Sequence, residues 1–375
     1  MKKYLLLMII PLVIMVTILS NSQVSSFNTK RVKYYGQRTV RASEYLIKKA
    51  NDSNITYENG DKSEMYEFKE VVTDHTTNTK DYRYIGRKAN NYVYFNCVGE
   101  DLSTCEVWRI IGVFPTQDDL GKTVYRLKLI KNDSIGKYSF DDSNNDYVNA
   151  NLQVYLNGDY YNNLSYISKK MVGISKYYIS GDSGSDYDGE TFYRIERGSN
   201  TNKSVDFIGR VGLIYPSDYL NTYRGINNNC YSRLNNCDNI KDSWMYNMVK
   251  EPFWSMTQVV GTGKIYTISN GDDYISYNYN NVLDVYPVVY LNYDIVIESG
   301  DGSKVNPYLL RPMYDSEIQS EYEMLQSMGD LSQTKVNVDD TLSTKSIIIL
   351  IFSSFFIVCG SIVLIRAYLQ KRRFH

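Results

Sequence analysis

Apolar and polar positions alternate most regularly between Tyr92 and Lys131, in the stretch YVYFNCVGEDLSTCEVWRIIGVFPTQDDLGKTVYRLKLIK. Three runs rich in β-branched and aromatic residues, Tyr92 to Asn96, Glu106 to Phe114 and Val124 to Ile130, are separated by turn residues. That order predicts a β-meander. In the third run Tyr125, Leu127 and Leu129 alternate with Arg126 and Lys128, the period of a strand with one side on a core. Cys97 and Cys105 sit in the connection of the first hairpin, where a disulfide would pin the strand register. A loop of that size stabilises by roughly 2.5 kcal/mol in the chain-entropy model.

The same patterning divides the rest of the chain. Residues 23–80 are polar, with one helical stretch, Val40 to Ala50, that puts Tyr45, Leu46 and Lys49 on one side. A globular domain is expected over 81–312. After the meander, Leu152, Tyr155 and Leu156 give a short helix its apolar stripe, with Gly158 where a C-terminal cap belongs. Gly209 to Tyr215 reads as a buried strand that Pro216 and Ser217 turn into a helix start. Trp254 to Val260 and Lys264 to Ile268 predict a hairpin around Gly261-Thr262-Gly263. Val285 to Leu291 predicts a strand whose Pro287 favours an edge or a bulge. Residues 313–345 read as a stalk that begins with an amphipathic helix bearing Ile318, Tyr322 and Leu325.

The two ends place the domain. Residues 1–22 put Lys2 and Lys3 ahead of an apolar run and a Ser-rich exit, the layout of a signal peptide or an uncleaved signal anchor. Ile347 to Ile365 contains no charge, and at about 1.5 Å per residue it spans roughly 28 Å, the depth of a bilayer's hydrocarbon core. Arg366, Lys371, Arg372 and Arg373 follow. By the positive-inside rule, 346–366 is a transmembrane helix and 367–375 a cytoplasmic tail, with the N-terminal domain outside the cell membrane.

Composition agrees with export. The chain carries a formal charge of −1, yet both terminal segments contain cations and no acid, so the region between them is net acidic. That balance argues against a nucleic-acid partner. Four of the five cysteines fall in two local pairs, Cys97 with Cys105 and Cys230 with Cys237, which predicts two disulfides. The six or seven residues within each pair exceed the spacing usual for a zinc site. Tyr occurs 37 times against 12 Phe and 3 Trp, so the core has to use rings whose hydroxyls need partners.

Eight blocks appear in order: DYRYIGRKANNYVYFN (81–96), WRIIGVF (108–114), LIKNDSIGKYSFD (129–141), LNGDYY (156–161), GLIYPSDY (212–219), FWSMT (253–257), YPVVYL (286–291) and GDGSKVNPYLL (300–310). Together they resemble an uncharacterised family of exported, membrane-anchored proteins of Firmicutes and related low-GC bacteria. Members are distantly similar to the formylglycine-generating-enzyme and C-type-lectin-like scaffold. The resemblance implies an α+β fold, a twisted and mostly antiparallel sheet with few short helices and long loops, and it brings no activity with it.

The chemistry-bearing residues are few. His75 is the only histidine apart from the terminal His375, which leaves a Ser-His-Asp or Cys-His centre a single residue to use. Cys230 and Cys237 invite comparison with the cysteine pair of the oxidase branch of that scaffold, but NNNCYSRLNNCDN shows no matching motif. In GDSGSDYDGE, Asp182, Asp186, Asp188 and Glu190 supply enough oxygens for calcium. The EF-hand spacing fails there, with Gly184 and Tyr187 at the third and sixth positions, so a solvated acidic turn is the plain alternative. No other cofactor is indicated. The thin catalytic set weighs against an enzyme. The expectation is a bacterial cell-surface binding or adhesion module, recognising a glycan or a protein and held in the bilayer by its C-terminal helix. A cell-envelope enzyme acting on peptidoglycan or an exported protein, or a structural subunit of an envelope assembly, are the alternatives.

Overall fold

A computed structural model describes residues 38–52, 65–68, 81–117, 121–179, 181, 189–196, 205–222, 243–270 and 276–327. In chain order these form α1 (Ala42–Asp52), β1 (Met65–Phe68), β2 (Asp81–Tyr84), β3 (Tyr92–Phe95), β4 (Glu106–Gln117), β5 (Thr123–Lys131) and β6 (Lys137–Ser139). Next come α2 (Asn151–Tyr155), α3 (Tyr166–Met171), β7 (Ser175–Ile179), α4 (Gly189–Glu196), β8 (Val205–Gly209), β9 (Val211–Gly212) and α5 (Pro216–Leu220). The last part holds β10 (Phe253–Val259), β11 (Lys264–Ile268), β12 (Ser276–Asn278), β13 (Val282–Asp284), β14 (Val288–Tyr290), β15 (Ile295–Ser299), β16 (Tyr308–Pro312) and α6 (Asp315–Ser327). The chain divides after Glu317, so everything before α6 belongs to the first unit.

The class is α+β. The predicted meander forms: β3, β4 and β5 are antiparallel neighbours at the centre of a nine-stranded sheet, in the order β15-β16-β3-β4-β5-β14-β9 with β2 and β1 branching from β4. Strand β4 is long enough to serve two partners, β3 along its first half and β2 at Gly112 and Val113. A Cβ on Gly112 would lie 2.2 Å from the Tyr82 carbonyl oxygen, so glycine lets the second partner approach. The strand β16 pairs parallel with β3, and this brings the Gly300-Asp301-Gly302 turn beside the start of the meander. A second sheet runs β12-β11-β10-β13-β6, and β7 with β8 makes a two-stranded ribbon. The hairpin around Gly261-Thr262-Gly263 is the β10–β11 pair, with a bulge between Trp254 and Gln258.

Three local expectations change. Arg126 and Lys128 were expected on a solvent face of β5, but both are buried like their apolar neighbours. The far face of the sheet is covered too: Phe114, Tyr215 and Tyr290 surround the Lys128 ammonium at 4.4 to 5.4 Å. Gly158 caps no helix, because α2 continues into a π-helical turn, Leu156–Tyr160. Pro287 marks neither an edge nor a bulge. The strand expected over Val285 to Leu291 shortens to β14, which lies between β5 and β9, and Pro287 stands in the link between it and β13 of the five-stranded sheet.

The core reaches upstream of Asp81. Ala42, Leu46 and Ala50, spaced at i, i+4 and i+8 along α1, are buried in the same apolar cluster as Trp108 and Leu129, while Tyr45 faces out. Tyrosine fills much of the interior, and two of the buried hydroxyls find backbone acceptors: Tyr215 donates to Tyr178 O at 3.0 Å and Tyr147 to Val211 O at 3.3 Å. The Cys97–Cys105 disulfide is formed at the end of the β3–β4 hairpin. Residues 1–22, His75, Asp182, Asp186, Asp188, Cys230, Cys237, the span 346–366 and Arg366, Lys371, Arg372 and Arg373 lie outside the described residues. Glu190 falls in α4 by its backbone, and its side chain is likewise outside them. Among the described residues no helix is long and apolar enough to cross a membrane.

Candidate functional site

The described residues form a cleft at one end of the central sheet, with a volume of about 440 Å³, within the range of small-molecule sites. Four stretches build its wall. The β2–β3 connection contributes Arg87, Lys88, Ala89 and Asn90, and the residues after β5 contribute Asn132 and Asp133. The 243–250 turn supplies Trp244, Asn247, Met248 and Lys250, and the β15–β16 turn supplies Lys304. From the sheet itself, the cross-strand pair Tyr92 and Arg109 completes the lining.

Arg109 is the only charge in the apolar run WRIIGVF, and it is 5 % exposed. Its guanidinium carbon lies 3.7 Å from the Tyr92 ring centroid and 4.7 Å from that of Trp244, both within cation–π range. Its Nε donates to Asn91 Oδ1 at 2.6 Å and its Nη2 to Ala89 O at 3.3 Å. Its Nη1 donates to no described residue, and among these residues no carboxylate pairs with it. Burial pushes the guanidinium down to about 10, which leaves it cationic at neutral pH.

The surroundings hold this group in place. Asn91, itself fully buried, also donates through Nδ2 to Ile110 O at 2.7 Å, locking the β3 approach onto β4. Trp244 is anchored by Nε1 donating to Tyr84 O at 2.9 Å, and Thr222 and Ser243, on either side of residues 223–242, share a hydroxyl hydrogen bond. Tyr92 N donates to Gly302 O at 2.9 Å, which sets the turn bearing Lys304 against the cleft. Gly302 has φ +80, and a Cβ there would lie 2.3 Å from Asn90 O, so no other residue fits that turn without a shift.

The lining therefore holds five cations, Arg87, Lys88, Arg109, Lys250 and Lys304, against one carboxylate, Asp133. It contains no histidine, cysteine or serine, and its lone carboxylate has no second one beside it for acid–base work. Among the described residues no three metal-ligating side chains converge. The sequence reading singled out none of the cleft residues. A single charge inside the apolar run of β4 was the available signal.

A second cluster of charges is buried behind the sheet. Arg83 donates to Asp81 Oδ2 and Asp218 Oδ1, each at 3.1 Å, Lys128 pairs with Asp218, and Tyr193 donates to Asp81 Oδ2 at 2.9 Å. Burial alone would raise Asp218, but Lys128 and Arg83 hold its carboxyl below the usual range. Nearby Glu196 accepts from Ser217 N at 3.1 Å and Thr257 Oγ1 at 3.2 Å, and burial pushes it up to about 8. These residues are at most 3 % exposed, so the cluster joins elements rather than meeting a ligand. Compared with family models, curated proteins and solved structures, the chain matches none.

Proposed function

We propose that this chain is a bacterial cell-surface binding module that takes a glycan or protein ligand in the Arg109 cleft. In this reading residues 346–366 anchor it in the membrane, 367–375 face the cytoplasm, and the domain is a distant variant of the C-type-lectin-like and formylglycine-generating-enzyme scaffold. One observation supports it above the others: a desolvated guanidinium, clamped between two rings at the mouth of a preformed cleft, has no carboxylate partner among the described residues. Groups rigidly placed with donors unspent are arranged for recognition.

The test is display of the full-length chain on a bacterial surface, with labelled glycans, bacterial cells and host cells as probes. Saturable binding that disappears on charge reversal of the exposed Lys250 and Lys304, at unchanged display level, is the expected result. Binding that survives the reversal would place the ligand elsewhere, and absence of binding to every probe would remove the module reading.

A further inference from the structure

Resting on that reading, we propose that the cleft selects its ligand by an oxyanion, a carboxylate or a phosphate carried on a saccharide, with Arg109 as the central contact and Lys88, Lys250 and Lys304 around it. Several other buried or half-buried cations of this chain meet carboxylates. Arg41 meets Asp294 at 3.0 Å, Arg83 meets Asp81 and Asp218, Lys128 meets Asp218, and Arg311 meets Glu317 at 2.8 Å. Each is neutralised by a carboxylate in contact, as burial of charge demands. Arg109 is buried too and meets only neutral groups: two rings, an amide oxygen and a backbone carbonyl. Arg126 and Arg210 also donate to neutral oxygens, but of the three only Arg109 lines the cleft.

The lysines repeat the pattern. Lys88, Lys250 and Lys304 come from three separate stretches of chain onto one cleft, and none makes a salt bridge among the described residues. Convergent like charges repel, and an acidic chain has carboxylates in supply to offset them. Only Asp133 is provided. The cleft is thus short of negative charge, and an anion supplies it. A guanidinium with a free Nη1 edge favours a planar or tetrahedral oxyanion over a halide. The volume of about 440 Å³ limits the bound portion to one or two sugar units, and the Tyr92 ring offers a sugar face an apolar neighbour.

Calorimetry on the full-length chain in detergent micelles tests this with glucuronate and glucose 6-phosphate as probes, and with glucose as their neutral counterpart. The expected result is binding of at least one acid, about tenfold tighter than its neutral counterpart, weakening as salt rises. Whichever acid binds tighter names the source of the oxyanion. Lys250→Ala and Lys304→Ala should each weaken it about threefold or more, and Asp133→Asn should strengthen it by removing the opposing charge. Because Arg109 is buried, Arg109→Lys tests its geometry with charge retained, and loss of affinity at an unchanged unfolding midpoint is expected. Equal binding of the neutral sugar would overturn the oxyanion inference and leave the module reading standing. No response to any probe, with cell-surface binding intact, would do the same. Tighter binding of an oligonucleotide than of either acid would assign the cleft to nucleic acid and overturn the inference.

Discussion

Arg83 and Asp218, 135 positions apart, meet at 3.1 Å inside the protein, both at most 2 % exposed. The contact fastens β2 to α5, and Lys128 of β5 shares the same carboxylate, so three elements depend on one acid. Asp218→Asn keeps the shape and removes the charge, leaving two buried cations with Asp81 alone in contact. It should destabilise by about 3 kcal/mol, read as a shift of the denaturant midpoint. Adding Lys128→Met should recover part of that loss; strict additivity of the two would show that they do not share a network.

Glu196 gives a pH signature. Its folded value of about 8 stands above the ordinary 4.5, so the folded state holds a proton that the unfolded state releases between those values. Stability from this group is therefore full below about pH 4.5 and declines as pH rises to about 8, by up to ~1.4 kcal/mol per pH unit. Glu196→Gln should flatten the profile in that window. Superimposable profiles for the two proteins would contradict the assignment.

The Cys97–Cys105 link closes a short loop at the tip of the β3–β4 hairpin. Replacing both cysteines by serine should cost roughly 2.5 kcal/mol, read as a shift of the denaturant midpoint. Tyr92 and Arg109 lie at the other end of the same strand pair from the link, so ligand binding should weaken less than stability does.

At Gly302 a methyl group meets Asn90 O and the Tyr308 ring, and φ is positive. Gly302→Ala should shift the turn that bears Lys304, lowering stability by about 1–3 kcal/mol and weakening cleft binding together. A variant that loses stability with affinity unchanged would separate the turn from the site.

Much of this fold was legible where neighbours in sequence are neighbours in space. The meander, its disulfide and the Gly261-Thr262-Gly263 hairpin follow from period-two patterning and turn residues, because each is closed by local contacts. Lys128 misled for the opposite reason: alternation reports which side chains differ in polarity, and a buried acid contributed by Asp218, 90 positions later, was invisible to it. Pro287 suggests an edge or a bulge from sequence, and that it links two sheets depends on the pairing of β13 with β6 and of β14 with β5. The cleft was hidden most thoroughly. Lys304 meets Arg109 there because β16 pairs beside β3, a topological fact that no window of sequence contains.

That division at Pro287 has a further meaning. Within nine residues, Val282 to Tyr290, the chain passes from one sheet to the other, with Val285, Tyr286 and Pro287 between the two strands and Lys131 N donating to the Pro287 carbonyl. Neither sheet can then melt alone without pulling on β13 or β14, the strand next to the other's edge, and amides of β10 and β5 should exchange with solvent in a single global opening. The two layers are one cooperative unit, and a lesion in either is felt as a loss of the whole.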